Sequence, residues 1–242
     1  FIFNMITNSK IFFSIVTPSF NSKKFIRQTV NSIHLQKFKN FEHIIVDNCS
    51  TDGTIKLLKQ LKKKYNFKLI IQKDKSMYEA LKKGFKQSKG EYLFWLNSDD
   101  FLINNNSLNN LYTFLQKYNY AWINCRTSIY YQKRKKLINV IPFYYPRFII
   151  KNGWCHKYAW GFIQQENVIF KKKLYNKVGG LNQKFQIAGD YDLWIKFSKH
   201  KKLVPVNINF AVHRKWENQK SNNLEQLYRE INKGRLFFNF FY

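Results

Sequence analysis

The feature that most constrains this chain is a repeated switch between two apolar periods across its first hundred residues. "FFSIVTP", "FEHIIVD", "FKLII" and "EYLFWL" are short, β-rich runs. Between the first two, "KKFIRQTVNSIHLQ" places Phe25, Ile26, Thr29, Val30 and Ile33 on one helical face. "CSTDGT" is a turn that leads into a helix with Leu58, Leu61 and Tyr65 at helical spacing. "SMYEALKKGFKQS" reads as a third helix, with Met77, Ala80, Leu81, Gly84 and Phe85 inward. The order β-α-β-α-β-α-β calls for an α/β fold with a mainly parallel sheet and helices on both faces. Ligands of such sheets bind beyond the carboxyl ends of the strands. Three polar clusters fall there: "TPSFN" (17–21), "DNCSTD" (47–52) and "NSDD" (97–100). The architecture gathers them on one edge.

The second half is less regular. "SLNNLYTFLQKY" reads as a helix, and 121–150 as short strands and loops. "KKKLYNKVGGL" is a short helix stopped at Gly179-Gly180. "AGDYDLWIKFSKH" opens a helix whose first turn carries Asp190 and Asp192. "KKLVPVNINFAVH" gives one or two strands, with His213 just after them. In the tail, Leu224, Leu227, Tyr228 and Ile231 are at helical spacing before an aromatic end. No internal repeat or linker interrupts the chain, so 1–242 reads as one domain: a regular first half (1–105), a less regular second half (106–220) and an amphipathic terminal helix (221–242).

Composition narrows the partners. With 242 residues and 45% apolar content the chain builds a sizeable core. Lys and Arg number 42 against 14 Asp and Glu, a formal +28 that attracts polyanions, anionic lipid and phosphorylated small molecules without choosing among them. The cations are spread along the chain rather than collected into an arm or stripe, which argues against specific nucleic-acid binding. Cys49, Cys125 and Cys155 form no CxxC pair, which argues against cysteine-held zinc and fits a reducing, cytoplasmic setting. No run approaches the roughly 20 apolar residues that span a bilayer. "FIFNMITNSKIFF" lacks the marks of a signal peptide. The aromatic tail and the basic excess suit a peripheral contact with an anionic membrane surface.

Neither GxGxxG, GxxxxGK[ST] nor GxSxG occurs. A nucleotide bound here needs other devices, of which strand-end carboxylates and a divalent metal are the natural ones. "FSIVTPSFNSKKFIRQTVNSI", "HIIVDNCSTDGT" and "GEYLFWLNSDD" together resemble the family-2 glycosyltransferases of the GT-A fold. "DKSMYEALKKGFKQSKGEYLFWLNSDD" is similar to the branch of that family that reads D-x-G-x-YDA-x-NKG before LNSDD, with Ser76 for Gly, Glu79 for Asp and Lys82 for Asn. "WGFIQQENVIF", the VGG at 178–180 and "AGDYDLW" look like the same branch. The resemblance covers roughly 11–220.

It implies an inverting transfer of a sugar from a nucleotide diphosphate sugar, with UDP the commonest nucleotide, to a hydroxyl of a glycan, lipid-linked or protein acceptor. It implies Mg²⁺ or Mn²⁺ as cofactor. Its nucleotide site maps onto Thr17, Pro18, Phe20, Asn21, Asp47, Asp74 and Asp99, with Asp47 on the base and Asp99 on the ribose. Asp100 would hold the metal, with His213 as a second candidate. Asp190 would be the general base, beside Gly189 where many members carry Glu. Gln165 and Glu166 would shape the acceptor site or buttress Asp190. Simpler roles stand beside these: helix capping for Asp47, Asp52 and Asp190, a favourable first-turn charge for Asp192, a surface position for His213. Trp154, Trp160 and Trp194 suit a sugar platform, although helical spacing favours the core for Trp194. The alternatives in other classes are a catalytically silent carbohydrate- or nucleotide-binding relative and a basic nucleic-acid-binding protein.

Overall fold

The computed structural model describes residues 10–140, 143–156, 160–217, 219 and 223–231 in full and 232–236 in backbone. The apolar start (1–9) and the aromatic end (237–242) lie outside the described residues. The first half alternates as expected: β1 (Phe13–Ser19), α1 (Ile26–His34), β2 (Phe41–Asp47), α2 (Thr54–Lys62), β3 (Lys68–Ile71), α3 (Met77–Gln87) and β4 (Tyr92–Trp95). β5 (Phe101–Leu102), α4 (Ser107–Tyr118), β6 (Trp122–Tyr131), β7 (Lys136–Val140) and α5 (Arg147–Lys151) follow. After a 3-10 turn at Gln165–Asn167 come β8 (Val168–Lys171), α6 (Lys172–Lys177), α7 (Gly189–Ser198), β9 (Val204–Lys215) and α8 (Leu224–Leu236).

All strands share one sheet in the order β3-β2-β1-β4-β8-β6-β9-β5, with β7 paired to β6. The β3-β2-β1-β4 portion is parallel. β8 runs antiparallel to both β4 and β6, so the sheet turns mixed where the halves meet. β1 continues one residue past Pro18, which does not close it. Val16 and Pro18 face the β4 edge, and that ladder has ended by Val16–Trp95, so the missing N–H of proline breaks no bond there.

Side-chain alternation sorts the core into two layers. Val16, Ile44, Val46, Leu93, Trp95, Val168 and Phe170 face α3, α5 and α7. Ile15, Phe94, Ile123 and Ile169 face the opposite side, where α4 contributes Leu108, Leu111 and Leu115. Trp194 belongs to the first layer, stacked between Trp95 (5.7 Å) and Trp122 (5.8 Å). On α3, Tyr78 is fully buried while Met77 is only partly so.

Gly84 lets α3 lie directly on β1: a Cβ there would sit 2.4 Å from Val16 Cγ1. Replacing a helical glycine by alanine ordinarily stabilises by about 1 kcal/mol. Here the clash is with a fixed strand side chain, and overpacking costs about 1–3 kcal/mol. Gly84→Ala is therefore expected to lower the thermal midpoint by several degrees, read by circular dichroism. A raised midpoint would show that the helix can slide away from β1.

Two segments depart from the sequence reading. Residues 121–140 form one long hairpin, β6–β7, rather than short pieces. "KKLVPVNINFAVH" is part of a single 12-residue strand, so His213 lies within β9, paired with Ile129, and not beyond it. Parallel pairing with β6, eased by two register shifts, carries the strand past the polar "NIN" stretch.

Candidate active site

The three polar clusters meet at the carboxyl edge through a hydrogen-bond web. Asn21, in the left-handed region at φ 47°, donates its N–H to Ser50 Oγ (2.8 Å) and accepts from Thr51 N–H (3.0 Å). Ser22 reaches Thr54 through its N–H (2.9 Å) and Ser98 through its hydroxyl (2.7 Å). The Thr29 hydroxyl donates to the carbonyls of Ser98 (2.9 Å) and Asp100 (2.7 Å), which ties α1 to the "NSDD" turn. Asn48 pairs with the backbone of Asp74 in both directions.

A cleft of about 940 Å³ opens over this edge. Pro18, Phe20, Asn21, Asp99, Gln165, Glu166, Asp190 and His213 line it. Thr17, Asp47, Asp74 and Asp100 lie behind its wall. Thr17 Oγ1 is hydrogen-bonded to His43 Nε2 (2.9 Å), inside the core, where burial lowers the His43 pKa to about 3. The Asp47 carboxylate accepts the N–H and the hydroxyl of Ser50, both at 2.8 Å, while its neighbour Asn48 faces the cleft. Asp74 is buried and ion-paired with Lys83. The Asp99 carboxylate accepts from Trp216 Nε1 (2.8 Å) and Gln219 Nε2 (3.2 Å). Trp154 and Trp160 stand outside the cleft, and Trp194 closes its floor.

Asp100, Glu166 and His213 converge: one ligand atom from each lies within 4.8 Å of the others. β4 and β9 and the 3-10 turn before β8 bring them there. His213 Nδ1 is 3.5 Å from Asp100 Oδ1, which also accepts the Arg214 N–H at 2.9 Å. Asp100 Oδ2 is buried with no hydrogen-bond partner. Burial raises the pKa of Asp100, with Asp99 adding to it, and pushes Glu166 up to about 7. Burial works against the charged imidazole of His213, yet Asp100 and Glu166 outweigh it and raise His213 to about 9. Two carboxylates, one imidazole and an orphaned buried oxygen suit a divalent cation. Sequence reasoning gave Glu166 to the acceptor; the fold sets it beside Asp100 and His213.

Asp190 sits in the first turn of α7, half-buried on the cleft wall. Its Oδ1 accepts the Tyr191 N–H (2.8 Å) and shares the Tyr78 hydroxyl (3.2 Å) with the nearer Ile187 carbonyl (2.5 Å). Burial raises its pKa from 3.8 to about 6, against the opposing pull of those hydrogen bonds. Gly189 packs on the Tyr78 ring, where a Cβ would come within 2.7 Å, so a larger residue there would displace Asp190. The loop before α7 is fixed from α8: Glu230 accepts the N–H groups of Gln186, Ile187 and Ala188 at 2.9–3.1 Å. The apolar stripe of α8 faces the domain, with Leu227 and Ile231 buried against Ala188, Tyr191 and Ile195. Among the described residues, that stripe is therefore covered by protein.

Tyr78, Arg214 and Glu230 were not singled out from the sequence. Arg214 is buried, donates to the Asp99 carbonyl (2.7 Å), Gln132 (2.5 Å) and Gln28 (2.6 Å), and stacks on Phe25, Phe101 and Tyr130. The acid pair at 99–100 thus has an arginine beside it, 114 residues on. No local pattern announces such a partner; a lone Arg closing a β-rich run was the nearest signal. The remaining acids have structural roles. Asp52 accepts from Thr54 N–H (2.9 Å) and Lys23 N–H (3.0 Å), and Asp192 pairs with Lys196 (2.7 Å). Ser76 caps α3 through Glu79 N–H (3.2 Å), and Glu79 in turn accepts the Lys75 N–H (2.8 Å), which accounts for that sequence departure.

The profile of the family described as Glycosyl transferase family 2 matches residues 14–179, which include all three polar clusters and Glu166. The chain belongs to glycosyl transferase family 2. Among curated relatives it is 36% identical over 96 residues to a putative teichuronic acid biosynthesis glycosyltransferase, TuaG, of Bacillus subtilis, covering 39% of this chain and 38% of that one. It is 32% identical over 110 residues to the poly(ribitol-phosphate) beta-N-acetylglucosaminyltransferase TarS of Staphylococcus aureus, covering 44% and 19%. The aligned portion is thus well under half the length of either relative. In structure, the S. aureus TarS 1-349 complex with UDP-GlcNAc superposes with a TM-score of 0.72 at 19% identity, over 88% of this chain and 61% of that one. A mannosyltransferase from Pyrobaculum calidifontis in complex with GDP-Man and Mn²⁺ gives 0.65 at 16% identity, over 92% and 61%. The family-2 chain has the GT-A fold. Among its described residues no helix is long and apolar enough to cross a membrane.

Proposed function

We propose that this family-2 chain transfers a sugar, with inversion, from a nucleotide diphosphate sugar to an acceptor hydroxyl in the synthesis of a cell-surface polymer, with UDP as the nucleotide. The observation that carries this reading is that one cleft is lined both by a proton acceptor poised near pH 6 and by Glu166 and His213, which converge with Asp100 just behind the wall. Inverting transfer is a single in-line displacement. A base must take the acceptor proton, and negative charge develops on the leaving diphosphate. Asp190 takes the proton: the Tyr78 hydroxyl and the Tyr191 N–H hold Oδ1, which leaves Oδ2 for the acceptor. Asp100, Glu166 and His213 would hold Mg²⁺ or Mn²⁺, which when bound supplies positive charge for the diphosphate. Phe20, Pro18 and Asn48 line the nucleotide end. Donor binding would draw Asp99 away from Trp216 and Gln219, and Asp47 away from Ser50, where either carboxylate contacts the ligand. The named polymers of the two curated relatives support the polymer class, and the TarS complex with UDP-GlcNAc supports the UDP choice.

A second reading, a silent nucleotide-binding relative, draws on the engagement of Asp47 and Asp99 by protein groups. Calorimetry with UDP at physiological salt separates these readings from simple polyanion binding. The expected result is UDP binding that strengthens with Mn²⁺, followed by release of nucleotide from one nucleotide sugar in a panel. Binding without release in any member of the panel would favour the silent relative. Salt-labile binding to any polyanion would remove both readings.

A further inference from the structure

The face opposite the cleft wall is unusual. Residues 143–156 and 160–163 form a strip whose inner side lines the cleft through Ile150, Cys155, Phe162 and Ile163. Its outer side holds large apolar groups in water: Phe143 (50% exposed), Tyr144 (62%), Phe148 (57%), Trp154 (42%) and Trp160 (39%). These form exposed aromatic pairs, Phe143–Trp160 at 5.7 Å and Phe148–Trp154 at 6.3 Å. Tyr144, Pro146, Arg147, Phe148 and Lys151 line a shallow groove between them. Arg147 is held in place by two backbone carbonyls, Ser198 (2.6 Å) and Lys199 (2.8 Å). Charge along this stretch has one sign: from residue 101 to 165 the sequence has nine Lys and Arg and no Asp or Glu, so nothing in it repels an anion.

We infer that this outer face, carried by Phe143, Tyr144, Arg147, Phe148, Lys151, Trp154 and Trp160, is a docking surface for an anionic lipid bilayer. Exposed Trp, Tyr and Phe with interspersed cations match the chemistry of the headgroup region, where an aromatic ring is half wet and a cation meets phosphate. Nucleic acid would use the cations, but exposed Phe143, Tyr144, Phe148, Trp154 and Trp160 against only Arg147 and Lys151 suit the half-wet headgroup region better than a phosphate backbone. The described part of the terminal helix packs its apolar stripe on the domain, so this outer face is a separate surface from the tail. The same strip walls the cleft, so docking would present the cleft to acceptors that lie in the membrane. That last link rests on the transferase reading; the surface does not.

The test is flotation of the whole chain with vesicles of phosphatidylcholine, with and without about 30 mol% phosphatidylglycerol, at physiological salt. The expected result is binding only with the anionic lipid. Lys151→Glu is expected to weaken it about fivefold or more, on the order of the contribution of one lysine at such a surface. Phe148→Ser with Trp154→Ser should weaken it at least as much, and Lys62→Glu on α2, the same change of charge elsewhere, should leave it within twofold. Quenching of tryptophan emission by brominated lipid in the unaltered chain, reduced in Trp154→Phe, reads the contact without relying on the polar variants folding. Equal losses in Lys62→Glu and Lys151→Glu, no quenching, or tighter binding of a single-stranded oligonucleotide through the same residues would each overturn the inference. UDP titration of the same variants reads the cleft separately, so loss of vesicle binding with intact UDP binding leaves the transferase reading standing.

Discussion

Asp190→Asn is expected to reduce sugar transfer about a thousandfold and to leave UDP affinity within twofold. General-base catalysis contributes roughly 10²–10⁴ in rate, and the amide keeps the shape but cannot accept the acceptor proton. A change in UDP affinity comparable to the loss of rate would place Asp190 on the donor and remove it as the base. The same residue sets a pH dependence. Burial raises its pKa to about 6, so the ionised, proton-accepting form falls tenfold per pH unit below that value. The rate at limiting substrate should therefore show an acid limb near pH 6. The stability effect has the opposite sense. The folded chain holds this proton more tightly than the unfolded one, whose carboxyl titrates near 3.8. Stability from this group is present below pH 4 and is lost as pH rises through 6, by about 3 kcal/mol for a shift of roughly two pKa units. Asp190→Asn should thus be more heat-stable than the parent at pH 7.5 while being inactive. A less stable Asn variant would mean that the hydrogen bonds from Tyr78 and Tyr191 outweigh the burial of charge.

Asp100→Asn is expected to abolish the strengthening of UDP binding by Mn²⁺ and to lower transfer to the level left by a chelator. The side chain keeps Oδ1 for the Arg214 N–H, so the fold is preserved, but the buried anionic oxygen is gone. Removing partners one step further from a metal costs about 10–100-fold in affinity, so loss of a ligand should cost at least about a hundredfold. Chelator should reduce the parent chain to the same level and do nothing further to the variant. Retained Mn²⁺ dependence in Asp100→Asn would dissolve the trio as a metal site. Glu166→Gln under the same titration shows whether the 3-10 turn supplies a ligand or only faces the cleft.

These two acids show how the site was and was not legible. Asp190 was accessible because "AGDYDLW" combines a helix start with adjacent acids, and Asp100 because "LNSDD" ends an apolar strand. What each touches was not. Asp190 is held by Tyr78, 112 residues earlier, and Asp100 by Arg214, 114 residues later. Such pairs arise from strand order, and nothing in the intervening residues encodes them. The same limit explains Asp47, Thr17 and Asp74. Their positions at or near strand ends were read from the chain, but the nearest polar groups, Ser50, His43 and Lys83, take up their side chains behind the cleft wall. His213 moved from beyond a strand to within one because β6 and β5 flank β9 and stabilise an extended backbone that the local sequence leaves open. Tyr78 was passed over for Met77 because helical periodicity does not distinguish neighbours at the edge of an apolar face.

By itself the sequence determined the alternation of the first four strands and three helices, because period and burial agree at every step there: Val16, Ile44, Val46, Leu93 and Trp95 share one face and Ile15, Ile45 and Phe94 the other. It also determined that the three polar clusters lie at one sheet edge, since parallel strands place their carboxyl ends together. The tertiary structure alone decided which carboxylates face the cleft and which are occupied by protein, that Glu166 joins Asp100 and His213, and that Leu227 and Ile231 pack on the domain while Phe143, Tyr144, Phe148, Trp154 and Trp160 face water. Those outcomes depend on contacts between residues far apart in the chain, and their energies come from burial and geometry that no local pattern contains.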